Sequence, residues 1–236
     1  MSLSRPAAAL CDPFSDRLPP SVGASRLRRL PLPKKPPAEP ILVSLETLRP
    51  TQVSVGMRAV AVKRRKIEKR LEHGSRIERF LEDKPIPSVR GPGGQLFMID
   101  HHHLGLALWQ SEIEMAYVHV IEDLSVLPVA SFWRRMETDG RVYPFDASGR
   151  RVALSRLPRR LNGLAEDGFR DLAWSVRLAG GFAKTRTPYA EFLWADFFRE
   201  RVPERLLATN YEMAVERAVK LARLKAASEL PGWRRA

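Results

Sequence analysis

Cysteine is nearly missing from this sequence, since Cys11 is the only one among 236 residues. A single thiol excludes an internal disulfide and any metal site built from several cysteines. Cys11 lies among prolines and arginines, so we expect a free thiol in a reducing compartment and no nucleophilic role. Neither a zinc cluster nor a haem site is expected.

Long apolar runs are also lacking. No stretch approaches the ~20 consecutive apolar residues that a membrane-spanning helix needs, and the first residues do not show the pattern of a secretory signal. A hydrophobic content of 44% is nevertheless enough to bury a core. These features predict a cytoplasmic protein without a membrane partner.

Acidic residues are outnumbered, with 27 Asp and Glu against 40 Lys and Arg, for a formal charge of +13. Such an excess favours polyanionic partners, namely a nucleotide or nucleic acid. The basic residues are dispersed rather than grouped in blocks, so the charge indicates a class of partner and not a site. The oligomeric state leaves no signal in the sequence.

Composition divides the chain into three parts. Residues 1–39 contain eight prolines and no periodic apolar pattern, which predicts a disordered leader. Residues 40–130 alternate short β-rich runs with helical periodicity, which predicts an α+β domain. Residues 131–236 are expected to form a mainly helical C-terminal region that packs on this domain, with its last helix running from about Pro203 to Ala227.

A hairpin followed by a helix is predicted in the middle of the α+β domain. Residues 87–90 and 95–99 have strand character, and the turn between them is the glycine-rich sequence GPGG. Asp100 ends the second strand, and a helix begins near Leu104. Three of the five histidines of the chain, His101, His102 and His103, therefore stand at a helix start.

Several chemistries suit an aspartate and three histidines at a helix start. Asp100 is suited to cap the helix by accepting backbone N–H groups. The same N–H groups and the helix dipole favour phosphate, which the histidines could bind or supply with a proton. Zinc is disfavoured, because adjacent side chains point roughly 100° apart, whereas zinc sites on helices use residues four apart. Magnesium carried by a nucleotide suits the oxygen ligands of Asp100.

The segment DHHHLGLAL (100–108) resembles the Asp-Gly-His-His-Arg-x-x-Ala-Leu box of the ParB/sulfiredoxin superfamily. Segments 48–57, 80–108, 121–136 and 167–199 resemble, more specifically, the putative ParB-like nuclease family. The resemblance implies a small mixed-sheet α+β fold with an appended helical region. It also implies that the box opens a helix at the phosphates of a nucleotide or at its magnesium.

Carried to this chain, the resemblance implies catalytic roles for Asp100, His102 and His103. It implies magnesium binding by Asp100, and phosphate binding by His101, His102, His103 and Gln52. His101 replaces a glycine of the box and Leu104 replaces its arginine. Gln52 stands where serine kinases of the superfamily have a glutamate base, and it cannot take a proton at neutral pH.

These observations leave three functions open. The first is a magnesium-dependent nucleotide hydrolase or phosphotransferase, and the second is a metal-dependent nuclease. The third is a non-catalytic DNA-binding protein of the partition type, although residues 131–236 show no clear helix-turn-helix pattern. A sulfiredoxin is excluded, because its box requires a cysteine and none lies nearby.

Overall fold

A computed structural model describes residues 39–73 and 77–235 of the chain. The predicted disordered leader, residues 1–39, lies outside the described residues except for Glu39. None of the described helices is both long and apolar enough to cross a membrane.

The described residues form short strands followed by a helix-rich half. The strands are β1 (Ile41–Ser44), β2 (Leu48–Pro50), β3 (Ser54–Val55), β4 (Ile86–Arg90), β5 (Leu96–Met98), β6 (Met115–Asp123) and β7 (Ala165–Glu166). The helices are α1 (Met57–Glu72), α2 (Ile77–Glu82), α3 (His102–Gln110), α4 (Val129–Thr138), α5 (Gly168–Leu178), α6 (Ala190–Arg199), α7 (Glu204–Thr209) and α8 (Tyr211–Ala222). The predicted α+β class is confirmed.

Within the described chain, five strands form a mixed sheet in the order β1-β6-β4-β5-β2. β1 pairs antiparallel with β6, and β4 pairs antiparallel with β5. β4 and β6 are parallel, as are β2 and β5. The β4–β5 pair is the predicted hairpin, and Gly93 and Gly94 in its turn have φ of 68° and 73°, a conformation that glycine adopts without steric cost. The hairpin prediction is confirmed.

The sheet is covered on both faces. In β5, Leu96 and Met98 join a core shared with α1 and α3, whereas Phe97 joins a second core shared with α4. This division follows from strand geometry, because successive side chains point to opposite faces. Phe97 contacts Phe132 of α4 at a ring-centroid distance of 4.8 Å.

A third core lies among the C-terminal helices. Trp194 of α6 is fully buried and stacks on Phe182 at a centroid distance of 4.2 Å. α8 presents small buried residues four positions apart, which allows it to pack closely against α5. These residues are Ala214, Ala218 and Ala222.

One expectation about the C-terminal half needs correction. The single helix predicted from Pro203 to Ala227 is wrong, because Asn210 (φ −155°, ψ 84°) interrupts it between α7 and α8. The Asn210 side chain accepts the Met213 N–H at 3.0 Å, so it caps the second helix. α4 was not predicted, and it runs across the expected boundary at residues 130 and 131. The division into domains stays a prediction.

Candidate functional site

The histidine-rich segment connects β5 to α3. β5 ends at Met98, His101 is the N-cap residue, and α3 begins at His102. Most of α3 is buried, and its core residues comprise Leu104, Leu106, Ala107 and Leu108. The start of α3 is therefore held in place by core packing.

His101 has a left-handed backbone conformation, with φ 64° and ψ 22°. This conformation costs a residue with a Cβ atom roughly 1 kcal/mol, whereas glycine adopts it freely. The requirement explains why glycine suits this position of the box. The His101 Nδ1 atom is buried and has no hydrogen-bond partner among the described residues. Burial lowers the pKa of His101 below its ordinary value, so the ring is neutral at pH 7.

Asp100 lies just outside the helix and is exposed. Its Oδ1 atom accepts the His101 N–H at 2.6 Å. The expected capping of α3 by Asp100 is wrong, because the N-cap residue is His101, and the left-handed turn there separates Asp100 from the first helical N–H groups. Those groups have no side-chain cap from the N-cap residue, and the Asp100 carboxylate faces solvent.

His102 is directed into the protein, with 3% of its surface exposed. Its Nε2 atom accepts the Thr51 N–H at 3.2 Å, which assigns the ring proton to Nδ1. Burial lowers the pKa of His102 to about 3, although the charge of Asp100 and the Met98 backbone oppose this change. His102 is therefore a neutral ring that holds the turn after β2.

His103 makes a parallel contact with the start of α1. Its Nε2 atom accepts the Gly56 N–H at 3.2 Å. Burial and the nearby Arg170 guanidinium hold its pKa well below the ordinary value for histidine. Together, His102 and His103 attach both ends of residues 51–56 to α3.

Gln52 and Leu104, like His101, occupy positions where the sequence departs from the superfamily. Gln52 is buried, and its Nε2 atom donates to the Ser54 carbonyl at 2.7 Å. The Leu104 side chain extends from α3 into the hydrophobic core. Gln52 thus stabilises its own loop, and Leu104 contributes to the packing that holds the helix start.

Three lysines act electrostatically on this segment. The charges of Lys63, Lys84 and Lys184 each act to lower the pKa of His101. The pKa of Lys63 itself is lowered by partial burial and then by Lys84, while Asp100 partly opposes the change. The sequence did not mark these lysines as part of the site, because Lys63, Lys84 and Lys184 are far from the box along the chain and act on it only in the folded protein.

Residues from the helical half adjoin the same segment, and the sequence did not mark them as functional. Asp171 of α5 accepts the Arg58 N–H at 2.8 Å and the Ala59 N–H at 3.1 Å. Its neighbour Arg170 acts on the pKa values of His102 and His103. Arg199, by contrast, forms ion pairs with Asp167 and Asp196 and has a structural role.

The described residues contain no group of three or more His, Cys, Asp or Glu side chains that could hold a metal ion. Asp100 is exposed, and the nitrogen atoms of His102 and His103 that point to the 51–56 loop are already hydrogen-bonded. A lone carboxylate fits magnesium only where phosphate and water supply most of its ligands. The Asp100 carboxylate alone therefore fits magnesium only as a partner of phosphate and water ligands.

Two surface clefts of the described chain lie away from this segment. One, of about 330 Å³, is lined by Leu42, Leu81 and Met115. The other, of about 400 Å³, is lined by Arg49, Pro92 and Trp133. Neither contains a predicted site residue, so the chemistry of residues 100–103, and not cleft volume, identifies the candidate site.

The mixed sheet, with its histidine box at the start of a packed helix, defines a ParB/sulfiredoxin-like protein. The family model described as "Putative ParB-like nuclease" matches residues 41–200, and the chain belongs to this family. The chain is also similar to a solved structure, that of protein Atu1540 from Agrobacterium tumefaciens. The two share 38% sequence identity with a TM-score of 0.77, over 84% of this chain and 100% of the other. No curated protein matches the chain.

Proposed function

We propose that the start of α3 binds a phosphate group of a nucleotide, as part of a magnesium-dependent hydrolase or phosphotransferase. One observation carries the proposal: the first turn of α3 lacks a cap from its N-cap residue and lies beside the partnerless His101 Nδ1 atom, within the field of Lys63, Lys84 and Lys184. Free N–H groups at a helix start, together with cations, favour phosphate.

The box residues divide into two roles in this proposal. His101 lies at the ligand side, where its ring can donate one hydrogen bond to a phosphate oxygen. His102 and His103 hold the 51–56 loop, since their Nε2 atoms accept backbone N–H groups. Gln52 stabilises that loop from within. The catalytic and phosphate-binding roles of His102 and His103 stay predictions, and their low pKa values argue against proton uptake at pH 7.

Magnesium enters with the nucleotide in this proposal. Asp100 would hold it through one carboxylate oxygen, and the ion would offset charge on the phosphates. The lysines would offset the charge that remains. Asp100 is thus the residue whose removal should weaken binding in magnesium and leave metal-free binding nearly unchanged.

Calorimetry with ATP, ADP and CTP, with and without magnesium, tests the proposal. We expect binding by the full chain, weakened in Lys63→Gln and His101→Ala. Lys69→Gln is the matched control, because Lys69 lies on the same helix and is exposed. Asp100→Asn should reduce only the magnesium-dependent part. Absence of binding by all three nucleotides, or equal binding by the Lys63 and Lys69 variants, would contradict the proposal.

A metal-dependent nuclease is the second candidate, and the family description and the charge of +13 favour it. The same helix start would then bind a backbone phosphate of DNA. Cleavage of plasmid or single-stranded DNA in magnesium or manganese, lost in Asp100→Asn, would support it. Salt-dependent DNA binding without cleavage, retained in Asp100→Ala and His102→Ala, would favour the partition-type role instead.

A further inference from the structure

Buried polar atoms without a hydrogen-bond partner are concentrated in a few side chains of the described chain. They are Ser54 Oγ, His101 Nδ1, Ser111 Oγ, His119 Nε2, Arg170 Nε, Arg170 Nη1 and Tyr189 OH. An unpaired polar atom in the interior destabilises the folded state, and an unpaired charged group destabilises it more. Arg170 stands out, because it is charged, 8% exposed and lacks partners on two nitrogen atoms. Its retention requires a physical explanation.

The position of Arg170 is fixed by its surroundings. Its Nη2 atom pairs with Glu191 of α6, and its guanidinium lies 4.9 Å from the centre of the Phe192 ring. Glu191 also accepts the Arg177 Nε–H at 2.6 Å. Burial alone would raise the pKa of Glu191, but Arg170 and Arg177 lower it below its ordinary value. The carboxylate is therefore ionised and holds Arg170 with two nitrogen atoms unused.

Arg170 adjoins the inner side of the histidine box. Its charge lowers the pKa of His102 and His103. Arg170 also precedes Asp171, the residue that caps α1 next to the Gly56–His103 contact. Arg170 consequently lies beside the contact that joins the start of α1 to His103.

Tyr189 brings a second side chain with an unused hydrogen-bond donor, its hydroxyl, to this region. It is the N-cap residue of α6 and has a left-handed backbone (φ 56°), one of only three non-glycine residues with positive φ in the described chain. Burial, and then the charge of Asp100, raise the pKa of Tyr189, so its hydroxyl keeps its proton. A protonated hydroxyl can donate to an anion. Tyr189 and Arg170 are linked through consecutive residues of α6, since Glu191 and Phe192 both contact Arg170.

We propose that Arg170 and Tyr189 bind the carboxylate of a small molecule next to the phosphate site. Arg170 and Arg177 carry two positive charges and Glu191 carries one negative charge, so the group has a net charge of +1. This charge matches one carboxylate better than a doubly charged phosphate. The few unused donors also suit a group with two oxygen atoms. The role of this subsite as the acceptor side of a phosphotransferase rests on the proposed function. Carboxylate binding by Arg170 and Tyr189 does not depend on it.

Thermal unfolding of the full chain with acetate, glycolate, glycine and malonate tests this inference, with sulfate and inorganic phosphate as comparators. We expect at least one carboxylate to raise the melting temperature, because a ligand that binds only the folded state stabilises it. Arg170→Lys should abolish this rise. Tyr189→Phe should weaken carboxylate affinity roughly tenfold or more, since a hydrogen bond to a charged group is lost.

Stability separates binding from a structural role. The Tyr189 hydroxyl has no partner within the described chain, so Tyr189→Phe should leave the ligand-free melting temperature unchanged or raise it. Tyr143→Phe is the matched control, because its ring packs at a tilt against Tyr189, 4.9 Å between centroids, while its hydroxyl donates to Asp196. Tyr143→Phe should keep carboxylate affinity. A lower ligand-free melting temperature for Tyr189→Phe, with unchanged affinity, overturns the inference.

The two proposals can fail separately. No stabilisation by any of the four carboxylates, or stronger Arg170-dependent stabilisation by sulfate or phosphate, overturns the carboxylate subsite. Carboxylate binding that persists in a chain unable to bind nucleotides overturns the phosphate function alone. His101→Ala and Lys63→Gln should weaken nucleotide binding without changing carboxylate affinity.

Discussion

Asp171 caps α1 although it lies 113 positions away from Arg58 in the sequence. Its Oδ2 atom accepts the Arg58 N–H at 2.8 Å, and its Oδ1 atom accepts the Ala59 N–H at 3.1 Å. Asp171 belongs to α5, whereas Arg58 and Ala59 belong to α1. A residue of the helical half therefore caps the helix that also borders the histidine box. The cap joins the two halves of the chain at the candidate site.

Gly56→Ala should destabilise the protein by about 2 kcal/mol or more, because the cap requires close approach. A Cβ atom at Gly56 would lie 2.3 Å from Asp171 Oδ1. The φ of Gly56 is −80°, so the cause is steric and not backbone conformation. Urea unfolding of Gly56→Ala, Asp171→Ala and the double variant measures the effect. The double variant should be less destabilised than the sum of the single ones, and strict additivity would contradict the explanation.

His101→Gly should stabilise the ligand-free protein relative to His101→Ala by about 1 kcal/mol. Both variants remove the ring, but only glycine relieves the left-handed conformation. Chemical unfolding gives the stability difference, and calorimetry gives nucleotide affinity. We expect both variants to lose nucleotide affinity equally. If His101→Gly binds as well as the unmodified protein, His101 serves no ligand.

Acid should destabilise the protein through the buried histidines. The folded-state pKa of His102 is about 3, below the value near 6.5 expected in the unfolded chain. Between these values the unfolded state binds more protons, so this stability is complete above about pH 6.5 and is lost as the pH falls towards 3. The pKa of His103 is lowered in the same direction. Each pKa unit between the folded and the unfolded state corresponds to about 1.4 kcal/mol in the free energy of unfolding.

Urea midpoints measured from about pH 7 down to pH 5 should therefore fall steadily. Exposed carboxylates contribute little in most of this range, because they ionise near pH 4. His102→Gln removes one titrating ring and should reduce the slope, although it is less stable at pH 7 through loss of packing. A slope identical to that of the unmodified protein would show that His102 does not cause it.

Arg199→Gln should destabilise the protein by about 3 kcal/mol, because it leaves Asp167 buried without its partner. Arg199 Nη2 lies 3.0 Å from Asp167 Oδ2, and Arg199 Nε donates to the Ala147 carbonyl at 3.1 Å. Arg150→Gln is the matched control, since Arg150 pairs with Asp146 at an exposed position. We expect the control to change the unfolding free energy by less than about 1 kcal/mol. Equal effects of the two substitutions in urea unfolding would contradict this assignment.

Local patterns were sufficient for much of the fold. The β4–β5 hairpin followed from strand-forming residues around GPGG, and the α+β class followed from short β-rich runs that alternate with helical periodicity. Where local signals were weak, the predictions failed. Asn210 breaks the last helix through one capping hydrogen bond to Met213, which composition does not distinguish from a polar residue inside a helix.

The sequence by itself determined where the box lies: between a strand and a helix, with Asp100 and three histidines at the junction. Tertiary structure alone decided what each side chain does. His102 and His103 turn inward to backbone N–H groups 51 and 47 positions away, and Arg170 reaches the same region from α5. The reason is physical: periodicity reports which face of an element is buried, whereas hydrogen-bond partners and pKa values depend on which distant segments the fold brings together.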